Sequence, residues 1–166
     1  MENSKTFNCQ NRKLYIMVGI PASGKSTWAR AQVSNRGAYV SRDFERYRLL
    51  KDSDEYFSKE KQVYRNFVNE IKKGLENYEE IYVDATHINK PSRNKIMNSL
   101  RGICNGYNVE YIAVYRDTPF ETCLERNSNR EGRTKIPYDQ MESINRFKSK
   151  PKVEEGFNKI LTIKGE

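Results

Sequence analysis

The chain has 166 residues, enough for one domain with a real core, and no apolar run approaches the length of a membrane span. Its 30 Lys and Arg against 22 Asp and Glu give a formal net charge of +8, which suits a nucleic-acid partner but equally an ordinary basic surface. Cys9, Cys104 and Cys123 are scattered and form no C-x-x-C, which argues against a disulfide framework or a zinc site and suits a reducing cytoplasm.

Residues 1–12 are polar, carry no signal-peptide pattern and read as a loose tail before a single domain at 13–166. Leu14–Val18 is an apolar strand. Directly after it, Gly19-Ile20-Pro21-Ala22-Ser23-Gly24-Lys25-Ser26 fits G-x-x-x-x-G-K-[ST] at every fixed position, and a helix follows over 26–35. Strand, glycine loop and helix are the context of a P-loop. Gly19 and Gly24 let the backbone curl so that its N–H groups face phosphate oxygens. The helix start adds positive potential, Lys25 reaches the β- and γ-phosphates, and the Ser26 hydroxyl is placed to ligate Mg²⁺. A nucleoside triphosphate is therefore the expected ligand.

Further on, Ala38-Tyr39-Val40 reads as a short strand. Residues 55–77 read as a helix with Val63, Phe67, Ile71 and Leu75 on one face. Ile81-Tyr82-Val83 is a third strand, 91–104 a helix opened by Pro91, and Val109–Val114 a fourth strand. Helices at 118–127 and 137–148 flank a polar, basic segment, and Ile160–Ile163 is the last strand. Alternating strands and helices predict an α/β sandwich around a parallel sheet.

Phosphoryl transfer also needs a base for the acceptor hydroxyl and cations for the transition-state charge. Asp43, in Ser41-Arg42-Asp43-Phe44-Glu45-Arg46, follows the second strand; it is either that base or the cap of the next helix. Arg46, three residues on, either holds an acceptor phosphate or makes a surface ion pair. Asp84 ends the third strand as a carboxylate near Mg²⁺ would, although a turn cap is the alternative. His87, the sole histidine, reads as structural. Segment 127–136 is either a lid or a solvated loop, and Arg126, Arg130 and Arg133 are its candidate transition-state cations.

In order, these pieces resemble the P-loop 5′-hydroxyl polynucleotide kinases. Residues 19–29 look like that family's P-loop and first helix, and Ser41-Arg42-Asp43 like its acceptor motif. Asp84-Ala85-Thr86-His87 with Arg93 looks like its D-x-T-N segment and downstream arginine, with histidine in place of asparagine. Arg126-Asn127-Ser128-Asn129-Arg130 resembles the start of its lid, and Glu154-Glu155-Gly156-Phe157 its closing E-G-F. The resemblance spans about residues 13 to 163. It implies an adenylate-kinase-like three-layer sandwich, with a five-stranded sheet in the order 2-3-1-4-5 and an arginine-bearing lid.

Carried over, the resemblance implies ATP bound by Gly19, Ala22, Ser23, Gly24, Lys25, Ser26, Thr27 and Arg126, with Mg²⁺ at Ser26 and Asp84. Lys25, Asp43 and Arg130 would be catalytic, the lid alignment leaving Arg133 as the alternative to Arg130. Arg42, Arg46, Asp84 and Thr86 would face the substrate, a 5′-OH end of DNA or RNA. No D-x-D-G-T motif occurs, so phosphatase activity is not expected, and a separate ligase or phosphatase would complete a repair reaction. Oligomeric state stays open, a homo-oligomer included. Two rivals share the same parts: a kinase of a small hydroxyl compound (nucleoside, sugar, antibiotic or sugar-nucleotide) and a non-catalytic ATP switch.

Overall fold

The structure, a computed structural model, describes residues 10–165. Cys9 and most of the expected tail lie outside that range. Five strands form one parallel sheet: β1 (Gln10–Val18), β2 (Gly37–Ser41), β3 (Glu80–Asp84), β4 (Tyr107–Asp117) and β5 (Lys159–Lys164), in the order β2-β3-β1-β4-β5. This is the expected order. Helices α1 (Lys25–Gln32), α2 (Arg42–Leu49), α3 (Glu60–Asn77), α4 (Lys90–Ile103), α5 (Phe120–Ser128) and α6 (Tyr138–Phe147) connect them.

The strand pleat divides the core in two. Leu14, Ile16 and Val18 of β1, with Ile81 and Val83 of β3, pack under Phe67, Ile71 and Leu75 of α3 and Ile96, Met97 and Leu100 of α4. Met17, Tyr82, Ile112 and Val114 face the other way, against Ala29 and Trp28 of α1. A third cluster joins Ile20 and Ala22 of the glycine loop to Cys123 of α5 and Met141 of α6. Both described cysteines, Cys104 and Cys123, are buried free thiols.

Several boundaries differ from expectation. β1 begins at Gln10, so three residues of the expected tail are strand. They pair with β4 from Gln10↔Tyr107 onward, which lengthens β4 at its start, while pairing with β5 out to Asp117↔Lys164 lengthens its end. Backbone hydrogen bonding carries a ladder past the point where apolar residues stop. α3 begins at Glu60 rather than 55. The Asp54 carboxylate accepts from the Lys51 N–H and from Lys59 Nζ, holding that stretch in turns. α2, expected only as the helix that follows Asp43, runs over Arg42–Leu49.

Parallel strands place their carboxyl ends on one edge, where ligands bind in open α/β sheets. Val18, Ser41, Asp84 and Asp117 all end strands there, and Ser41 is in register with Asp84.

Candidate active site

The glycine loop joins β1 to α1 at that edge. A Cβ on Gly19 would come within 2.8 Å of Ser23 Oγ and 3.2 Å of the Arg116 carbonyl, so only glycine fits. Gly24, at φ 91°, is the N-cap of α1 in the left-handed region. The loop carbonyls are tied down. Lys25 Nζ donates to Ile20 O at 2.9 Å, Arg126 donates to Ala22 O at 3.4 Å, and Arg116 Nε and Thr118 Oγ1 donate to Ser23 O at 3.1 and 2.7 Å. With its carbonyls so engaged, the loop is suited to anions, and the first N–H groups of α1 have no partner within the helix. Ser23 Oγ is buried without a hydrogen-bond partner. Burial lowers the Lys25 pKa, the charges of Asp84 and Asp43 raise it, and Arg130 lowers it further. The charges of three expected site residues, Asp84, Asp43 and Arg130, thus all act on one ammonium group. Thr27 is exposed in the first turn of α1.

Asp84 is buried at the end of β3, and its Oδ2 accepts from Ser26 Oγ at 2.6 Å and from the Tyr39 hydroxyl. The two expected Mg²⁺ ligands thus touch, one on β3 and one on α1. No cluster of three or more His, Cys, Asp or Glu suited to a metal occurs among the described residues. Mg²⁺ does not need one, because it takes one or two protein oxygens and fills its shell with phosphate and water. The residues therefore fit a Mg²⁺–nucleotide. Thr86 is exposed, and its carbonyl accepts from the Gly19 N–H at 3.0 Å.

Asp43 does not cap α2. Ser41 does, accepting from the Phe44 N–H at 3.3 Å, which leaves the Asp43 carboxylate in the first turn and largely exposed. It pairs with Arg46. Arg46 is not at the surface. Its buried guanidinium also bonds Glu60 of α3 at 2.8 Å and Tyr56 Oη at 3.2 Å, and lies 4.7 Å from the Tyr56 ring centroid. Arg42 shares Glu60 at 2.8 Å, and its Nε is buried with no partner.

Segment 127–136 holds a single 3-10 turn at Gly132–Thr134. Its two arginines diverge. Among the described residues, the Arg130 side chain bonds within the segment, to Thr134 O at 3.3 Å, and its charge reaches Lys25. Arg133 instead donates to the carbonyls of Lys51, Asp52 and Asp54, tying the segment to the turns after α2.

Residues 14–151 match the family described as an AAA domain (AAA_33). The chain belongs to this family of P-loop kinase domains. It is 29% identical over 139 residues to an L-seryl-tRNA(Sec) kinase from Methanococcus maripaludis, a match covering 79% of this chain and 50% of that protein. The chain thus spans about half the length of the curated relative it matches. The Pnkp1/Rnl/Hen1 RNA repair complex includes a similar fold (TM-score 0.66, 24% identity, 85% of this chain and 45% of that one). So does a fungal RNA kinase (TM-score 0.68, 11% identity, 95% and 76%). A sugar kinase from Janibacter sp. HTCC2649 shares the fold as well (TM-score 0.53, 16% identity, 93% and 85%). At these identities the structural likenesses establish the fold. P-loop kinases use ATP and Mg²⁺ generally, in keeping with the site's fit.

Two further residues of this AAA-domain kinase complete the site. Tyr39 looks like an ordinary strand residue, yet its hydroxyl ends on Asp84. Arg116, at the end of β4, clamps Ser23 O and would sit 3.3 Å from a Cβ on Gly24. Only its place beside Asp117, at the end of an apolar run, hinted at this. No helix among the described residues is long and apolar enough to cross a membrane.

Proposed function

We propose that this P-loop kinase transfers the γ-phosphoryl group of ATP to the 5′-hydroxyl of a DNA or RNA end. The observation that carries the acceptor assignment is Asp43: an exposed carboxylate held by a buried arginine, at the sheet edge, with its charge reaching Lys25. In this reading Asp43 takes the proton of the attacking hydroxyl, and Arg46 positions Asp43. Lys25 and the α1 N-terminus bind the phosphates, and Ser26 and Asp84 would hold Mg²⁺, which would supply positive charge to the phosphate oxygens. Arg130 approaches the transferring group, and Arg133 anchors the lid. Likenesses to an RNA repair complex, an RNA kinase and a seryl-tRNA kinase support an acceptor hydroxyl carried on a nucleic acid.

The likeness to a sugar kinase favours a second reading, phosphorylation of a small hydroxyl compound. Labelled ATP with 5′-OH DNA and RNA oligonucleotides, beside nucleosides and sugars, separates the two. Label on the 5′ end of an oligonucleotide is expected, and label on small acceptors alone would reject the polynucleotide. Asp43→Asn is expected to slow transfer by about 10²–10⁴-fold while ATP affinity stays near the wild-type value. Unchanged transfer would remove Asp43 from the chemistry.

A further inference from the structure

The densest run of positive charge in the chain plays no part in the site described above. Residues 146–152, Arg-Phe-Lys-Ser-Lys-Pro-Lys, carry four basic side chains and no acidic one. α6 ends at Phe147, and the chain then runs to Lys152 without helix or strand. A surface stretch of that kind is ordinarily loose. Here its backbone is fixed. The Ser149 N–H donates to Ile88 O at 3.0 Å, and the wholly buried Arg93 donates to Ser149 O at 2.9 Å and Lys150 O at 3.3 Å. Pro151 is buried, and the Lys152 N–H donates to Glu155 Oε1 at 3.2 Å.

This fixed backbone presents lysines. Lys148, Lys150 and Lys152 alternate with the bonded Ser149 and the buried Pro151, and all three are exposed. None of them makes an ion pair among the described residues. Of the nearby carboxylates, Glu155 is held by Arg93 at 2.6 Å and Glu142 by Arg146 at 3.7 Å, while Glu154 is exposed beyond Lys152. Lys148 and Lys152 have extended backbones, and Lys150 precedes a proline, which favours the same conformation. Alternate residues of an extended chain lie about 6–7 Å apart, comparable with successive phosphates of a stretched nucleic-acid strand. Phe147, 64% exposed, adds an aromatic face at one end. The strap also lies at the sheet's carboxyl edge. Its partner Ile88 closely follows Asp84, and Lys150 Nζ lies 5.9 Å from the ring centroid of Tyr115, near the end of β4.

We propose that this strap binds the phosphodiester backbone of the acceptor strand, downstream of the nucleotide that is phosphorylated. The proposal rests on the polynucleotide reading and adds a second contact, separate from Asp43 and Arg46, that reads charge and not sequence. Because the lysines project from a backbone already fixed, little ordering opposes binding.

The test measures binding directly, by anisotropy of a labelled 5′-OH dodecamer over a range of salt, beside a 5′-OH dinucleotide and phosphatidylserine vesicles. The wild-type protein is expected to bind the dodecamer about ten-fold or more tighter than the dinucleotide. Changing Lys148, Lys150 and Lys152 together to Gln is expected to bring the dodecamer toward the dinucleotide value and to lower the slope of log Kd against log salt by about 2. Changing the same three to Arg retains both. Lys61, Lys72 and Lys73, exposed on α3, are the control: changed together to Gln they remove equal charge and are expected to leave the slope near the wild-type value. Melting temperatures establish that each variant is folded. An unchanged slope in the strap variant, or an equal fall in the α3 variant, overturns the strap; continued label transfer from ATP to the dodecamer then leaves the kinase reading standing. Binding of vesicles but not of the dodecamer through these lysines also overturns it and assigns a lipid surface instead. No label on any oligonucleotide rejects the polynucleotide reading and the strap's role with it.

Discussion

His87 is buried, sits at φ 43° and donates its Nδ1–H to the Met17 carbonyl at 2.7 Å. Desolvation pushes its pKa down from 6.5 to about 4. The Met17 carbonyl opposes the shift, and the nearby positive charges of Arg42, Lys25 and Arg93 add to it. A pKa depressed on folding means the unfolded chain holds the proton more tightly. The stability that neutral His87 confers is therefore complete above about pH 6.5 and is lost as pH falls from there toward 4. His87→Asn keeps a side chain tolerant of the left-handed region and removes the titration. Its melting temperature is expected to fall less than that of wild type between pH 6.5 and 4, other carboxylates being common to both proteins. Parallel curves would show that His87 does not titrate there. At the same scale, Ser41 rather than Asp43 caps α2, and this frees the Asp43 carboxylate for the role proposed for it.

Among the elements, α4 is joined to the segment before β5 by a buried ion pair. Arg93 is wholly buried. Its Nε and Nη2 meet the two carboxylate oxygens of Glu155 at 2.6 and 2.9 Å, and its Nη1 donates to the His87 and Ser149 carbonyls at 3.1 and 2.9 Å. The sequence supplied both partners, Arg93 after the Asp84 segment and Glu155 near the end, but not that they meet. Such a pair is costly to break because the surviving charge stays buried. Arg93→Ala is expected to lower unfolding free energy by about 3–5 kcal/mol, read by chemical denaturation. Glu155→Gln should cost less, since the amide oxygen still accepts from the guanidinium. A loss in Arg93→Ala below about 1 kcal/mol would place this pair among those of no structural weight.

For the whole molecule, the +8 charge and the acceptor chemistry make a joint prediction. A protein that binds strand phosphates releases counterions, so at saturating ATP the KM for a 5′-OH oligonucleotide is expected to rise about ten-fold between roughly 50 and 200 mM salt. The KM for an uncharged nucleoside should barely change over the same range. Equal salt responses would mean that the backbone beyond the terminal nucleotide contributes no binding. Segment 127–136 is tied across the molecule: Arg133, on the carbonyls of Lys51, Asp52 and Asp54, joins it to the stretch that also carries Arg46's partner Tyr56.

Much of this architecture was readable from residue types and spacing. The glycine loop between an apolar strand and a helix, the carboxylate ending Ile81-Tyr82-Val83, and the alternation of strands and helices all depend on local rules, in which a few neighbouring residues suffice. The strand order entered only with the family resemblance. Tertiary structure decided what depends on distance between remote residues. It set Ser26 and Tyr39 on one oxygen of Asp84, 58 and 45 positions away in the chain, and it buried Arg46 between Asp43 and Glu60. It also sent Arg133 to the turns after α2 while Arg130 stayed within reach of Lys25's charge, separating two arginines that the sequence could not tell apart. The physical reason is that a hydrogen bond forms or fails within a few tenths of an ångström. Periodicity shows which face a residue takes, whereas sheet register and helix docking determine which side chains on that face come within bonding distance.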